Sequence, residues 1–163
     1  MSDPAAQRRA QLPAETPLRE GGRLFVGLGI LECIAAFGLA AAALARDEWT
    51  TQAIAAMAVV GVFAVLHIAV GSRLAAMRLS HPWPVIALSI LGLPSYPFGS
   101  VLGGWILWHL RADGSRALFG PGPAAVRAAT PELDPVPGNG PVVLGVMLVA
   151  GTAAVALLAA MVV

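Results

Sequence analysis

Four long apolar stretches alternate with short polar ones along the chain. Residues 24–45 form a run of 22 in which Glu32 is the only charge. Residues 52–71 form a second, which continues as an amphipathic turn or two through Arg73 and Arg78 to about residue 79. A third, 85–110, is interrupted at Pro94 and Pro97, and a fourth, 142–163, carries no charge. A helix of about 22 residues rises about 33 Å, enough to cross a hydrocarbon core of about 30 Å. The expected organisation is therefore a disordered polar tail over 1–22, a membrane helical domain over 23–118 (helices 24–45, 52–79, 85–93 and 98–110), a Pro/Gly-rich linker over 119–141, and a C-terminal transmembrane helix over 142–163. The fold class is all-α integral membrane protein.

The third stretch allows two structures. As one kinked helix it makes a fourth span. As two short helices, neither half crosses alone, and the pair forms a re-entrant hairpin beside three full spans. Arginine placement favours the second. A single crossing puts six arginines on one side and four on the other, whereas a returning segment puts nine on one side and leaves only Arg46 opposite. Pro94 and Pro97 each cost about 3 kcal/mol inside a continuous helix. Gly99 and Gly103 make a G-x-x-x-G face, Ser100 and Gly104 a second small face, and Gly99 or Ser100 can cap the returning half. The N-terminus is expected in the cytoplasm.

Composition agrees with lipid burial: 58% of the 163 residues are hydrophobic and 12% charged, against about 25% charged in soluble domains. The net charge of +1 gives no basic face for nucleic acid. Arg8-Arg9 and Ala43-Leu44-Ala45 resemble parts of an export signal, but the intervening 22-residue apolar run exceeds a signal core of about 7–15 residues, so a retained helix is expected. Cys33, the single cysteine, excludes an internal disulfide framework.

One resemblance emerges from the third stretch. Gly71, Leu74, Arg78 and Trp83 lead into Tyr96-Pro97-Phe98-Gly99-Ser100-x-x-Gly103-x-x-x-Leu107-Trp108-x-Leu110, with Ala117-Leu118-Phe119 downstream. This is similar to a family of small, uncharacterised bacterial membrane proteins with a Pro-x-Gly-[Ser/Thr]-x-x-Gly-x-x-x-Leu-Trp-x-Leu signature. Ser100 replaces the usual threonine, Trp105 stands near the usual tyrosine, Pro84 falls where alanine is usual, and the following arginine is absent. The resemblance covers about residues 71–119 and implies a bacterial inner-membrane location. It implies no activity.

Glu32 and His67 are the ionisable residues well inside the first two helices, where charge is expensive and paired. An interhelical contact between them is expected, with Arg73 in reach of Glu32 by snorkelling. Pro94, Pro97, Gly99, Ser100, Gly103, Gly104 and Trp108 form the expected broken-helix and packing motif. His67, His81 and His109 lack a haem-attachment pattern, and no phosphate-loop, zinc or nucleophile motif is present. No cofactor, metal or catalytic residue is expected. The expected function is a non-enzymatic membrane subunit or interaction module, in contact with lipid and with a membrane protein partner or second copy. The alternative is a small transport or channel component using the broken segment with Glu32 and His67.

Overall fold

The computed structural model describes residues 3–47, 49–93, 98–112 and 114–134. Their regular structure is helical: α1 (Pro4–Arg46), α2 (Thr51–Ala75), α3 (Trp83–Gly92), α4 (Phe98–Arg111) and α5 (Pro121–Ala129), with 3-10 turns at Arg116–Leu118 and Pro131–Leu133. Two of them, α1 and α2, are long and apolar enough to cross a membrane. The apolar run 142–163 and the Pro94–Pro97 break, with its two prolines, lie outside the described residues.

The expected polar tail is instead the first half of α1, which spans 43 residues and about 64 Å. Asp3 caps it by accepting a 2.9 Å bond from the Ala5 amide. Pro13 and Pro17 lie inside it, each removing a helical donor. Tertiary burial offsets that cost, because Arg8, Glu15 and Leu18 are fully buried. One face, Arg8, Gln11, Glu15, Leu18, Gly22, Phe25, Gly29 and Glu32, continues at spacings of three and four from the tail into the apolar run. Such a stripe keeps one side of a helix against its neighbours.

α1 and α2 pack antiparallel along that stripe. A Cβ added at Gly71 would come 2.6 Å from the Gly22 carbonyl oxygen, and one at Gly29 2.7 Å from that of Ala64. Only glycine permits so close a backbone approach. α2 ends at Ala75, short of the expected residue 79. The Arg78 amide donates to the Arg73 carbonyl at 2.8 Å and the Met77 amide to Leu74 at 2.9 Å, closing the helix with Met77 at φ 50°. This is the position glycine usually takes after a helix. Met77 is held there by its buried side chain.

α3 and α4 are separate helices packed antiparallel. A Cβ at Gly103 would lie 2.5 Å from the Ser89 carbonyl oxygen, and one at Gly92 3.9 Å from Gly99 Cα. In one continuous helix residues 89 and 103 would stand about 21 Å apart. Ser100, expected as a cap, lies within α4 and donates its hydroxyl to the Leu93 carbonyl at 2.6 Å, tying the two helices together. This hairpin closes on α1 through Ile106, which meets Gly21. Leu18, Phe25, Leu74, Met77, Val85, Leu102, Ile106 and Leu118 form the core there. Away from it the α1/α2 pair exposes apolar side chains on its outer faces, Phe37 at 78% and Val65 at 65% among them.

Residues 121–129, expected as linker, form α5. Pro121 is tolerated in its first turn, and Gly120 at φ 148° turns the chain into it.

Candidate functional site

The close approach at Gly29 and Ala64 lets Glu32 and His67 reach each other across α1 and α2. Glu32 Oε2 lies 2.7 Å from His67 Nδ1. Glu32 sits about 12 Å along the apolar run from residue 24. His67 is buried, with the rings of Phe25 and Phe63 at centroid distances of 5.3 and 6.0 Å. The Glu32 carboxyl keeps 20% of its side-chain surface exposed. The pair shares one hydrogen bond whose direction follows the imidazole tautomer. Arg73, expected to reach Glu32, is exposed near the end of α2 and makes no ion pair among the described residues.

The hairpin motif is divided by packing. Gly99 and Gly103 are buried and face α3, so their small face serves the hairpin itself. A Cβ at Gly104 would meet nothing within 4 Å, and Trp108 is 72% exposed. Trp105 meets His109 edge-on with ring centroids 4.5 Å apart. Among the described residues, no group of three or more His, Cys, Asp or Glu could hold a metal ion.

A second polar centre was not anticipated. Arg8 and Glu15, both fully buried, form an ion pair, and a further Arg8 nitrogen lies 3.0 Å from Glu15 Oε1. Arg19, one turn on, reaches the same oxygen at 2.7 Å. Asp134 accepts from Arg19 at 3.1 Å and from Arg8 at 3.3 Å. Arg127 of α5 stands 3.8 Å from Glu15 and donates to the Met77 carbonyl at 3.1 Å. Burial alone would push the Glu15 carboxyl up, but the hydrogen bonds and charges of Arg8 and Arg19 outweigh it and hold the carboxyl below its ordinary value. The hydrogen bond from Arg8 to Glu15 raises the Arg8 guanidinium above its ordinary value, whereas burial lowers that of Arg127. The i, i+7 spacing of Arg8 and Glu15, in phase with Leu18 and Phe25, was the available sequence signal.

Beside this centre an open cleft of about 1080 Å³ lies between the turn after α2 and α5, lined by Arg19, Met77, Arg78, Leu79, His81, Phe119, Arg127 and Asp134, among others. Comparison with known families, characterised proteins and solved structures finds no match.

Proposed function

We propose that the chain is a non-enzymatic inner-membrane subunit or assembly module. Its N-terminus is cytoplasmic, and its spans are the apolar part of α1, α2 and the run 142–163. The α3–α4 hairpin enters and leaves the bilayer on the cytoplasmic side. The hydrogen bond from Arg127 to Met77, 3.1 Å long, supports the topology. Residue 77 precedes the hairpin and residue 127 follows it, so a single crossing of 85–110 would separate them by a hydrocarbon core of about 30 Å. The ion pairs from Arg8 and Arg19 to Asp134 join the N-terminal half of α1 to the same end. The nine-to-one distribution of arginines agrees with it, as does the resemblance of residues 71–119 to small bacterial membrane proteins.

In this reading the polar centre is a rigid cytoplasmic cap, and partner contact falls to the exposed faces of α1 and α2. Gly38 and Gly61 leave open small-residue positions there, with nothing within 4 Å of an added Cβ. The test is native gel electrophoresis of the full chain extracted from its own membrane, with Gly38→Leu and Gly61→Leu. A discrete complex lost in these variants, at unchanged protein level, supports the module. A monomer in the wild type overturns it.

A second reading, a small transport component, is favoured by the Glu32–His67 pair, a hydrogen-bonded polar contact within the apolar run. Glu32→Gln would then reduce ion-dependent flux while leaving any complex intact.

A further inference from the structure

We propose that the cleft between the α2 turn and α5 binds a phosphate-bearing anion, and that the headgroup of an anionic phospholipid is its occupant. The inference goes beyond the subunit reading: it rests on the membrane topology of that reading and needs no partner subunit. Arg19, Arg78, Arg127 and His81 line the cleft, and Asp134 is the one acidic residue in its lining. Behind it, Arg8 and Glu15 cancel each other as an ion pair, so the excess of positive charge remains at the cleft. Arg19 is held by Glu15 and Asp134, and Arg127 by the Met77 carbonyl. Both are thereby fixed in position. Arg78 and His81 are exposed and make no side-chain hydrogen bond or ion pair among the described residues. Preset guanidinium groups beside free donors suit the charge and geometry of a phosphate.

The place fits a headgroup. The cleft begins immediately after α2, where an apolar helix reaches the interface, and basic pockets at the cytoplasmic ends of helices take lipid phosphates in this way. Leu79, Phe119, Pro121 and Ala124 line the cleft beside these groups, so the start of an acyl chain can follow the phosphate in. The volume of about 1080 Å³ accommodates a glycerophosphate headgroup.

The experiment is native mass spectrometry of the full chain in detergent, titrated with phosphatidylglycerol or with phosphatidylcholine. A parallel arm titrates inorganic phosphate by calorimetry. One phosphatidylglycerol per chain is expected, bound at least about tenfold more tightly than phosphatidylcholine. Arg78→Gln, which alters an exposed side chain outside the core, should weaken it about tenfold. Arg116→Gln, exposed and outside the cleft, should leave it unchanged. If phosphate alone binds and Arg78→Gln abolishes the heat, the site belongs to a free phosphate rather than a lipid, and the shared chemistry stands. Equal affinity for the two lipids with no phosphate heat overturns the proposal, as does an equal loss in Arg116→Gln and Arg78→Gln.

Discussion

Arg127 donates a hydrogen bond to the carbonyl oxygen of Met77, 50 residues earlier in the chain, at 3.1 Å. The two ends of the α3–α4 hairpin are therefore at one level. With α1 and α2 embedded, reagents that do not cross membranes should reach both ends from the same side. On a Cys33→Ser background, Ser80→Cys and Arg116→Cys should be labelled from the cytoplasmic face and Thr51→Cys from the opposite one. Ser115 is buried and would react poorly, so the neighbouring exposed position is the better probe. Labelling of positions 80 and 116 from opposite faces would refute the hairpin topology.

Glu15 holds Arg8 and Arg19 and lies 3.8 Å from Arg127. Glu15→Ala would leave guanidinium groups facing one another without their shared anion. Removing one partner of a buried ion pair costs about 3–5 kcal/mol. Limited proteolysis should then cut the N-terminal half of α1, while the apolar part stays protected. Replacing Arg8 and Glu15 together by Met and Leu should cost less, because the fully buried charges leave together and Arg19 keeps Asp134.

Acid should act on the same contact. The folded Glu15 carboxyl lies below its ordinary value, so its contribution is fully present above the unfolded carboxylate value of about 4.3. It disappears as pH falls through the lower folded value. Protease protection of residues 4–22 should hold down to about pH 4.3 and fall away below it, and Glu15→Gln should remove that acid step. Persistence of the step in the variant would assign it to another group.

The apolar runs made the second half of α1 and the body of α2 legible, because lipid-scale hydrophobic length needs no knowledge of neighbours. The Glu32–His67 contact was legible for a related reason: two ionisable side chains at matching depth in adjacent helices have few other partners. The polar centre was not. Residues 1–22 contain three prolines and few large apolar side chains, a composition that signals disorder when read locally. What orders them is tertiary: Arg8 and Glu15 find partners on α5 and at Asp134, more than 100 residues away. The end of α2 was misjudged because Met77 occupies a left-handed position that sequence reasoning reserves for glycine or asparagine. Gly99 and Gly103 read correctly as a packing face, but nothing local says that the face turns inward to Ser89.

Close backbone approach should make Gly71, with Gly22 opposite it, one of the least tolerant positions of the α1/α2 pair. Gly71→Leu must push apart two helices whose backbones already touch, and overpacking of this kind costs about 1–3 kcal/mol even where side chains can yield. At Gly71 the obstacle includes backbone, so a loss at or above that range is expected in detergent unfolding. Gly61→Leu, with nothing within 4 Å, should unfold as the wild type does in the absence of a partner. A similar loss in both variants would argue against the observed packing.

The Glu32–His67 pair predicts non-additivity. His67→Ala removes the partner of a carboxylate in an apolar run and the ring contacts to Phe25 and Phe63, for an expected loss of about 2 kcal/mol. Glu32→Gln keeps an acceptor and a donor at the same place, and should cost under about 1 kcal/mol. Combining the two should cost less than the sum, because the second change no longer breaks a bond. Interhelical hydrogen bonds in membranes measured this way average about 0.6 kcal/mol, so a coupling between that figure and the cost of Glu32→Gln alone, under about 1 kcal/mol, fits the 2.7 Å contact. Zero coupling would mean that the two side chains do not interact in the membrane. A large coupling with unchanged flux would assign the pair to holding α1 against α2, whereas flux lost in Glu32→Gln at full stability would assign it to proton transfer.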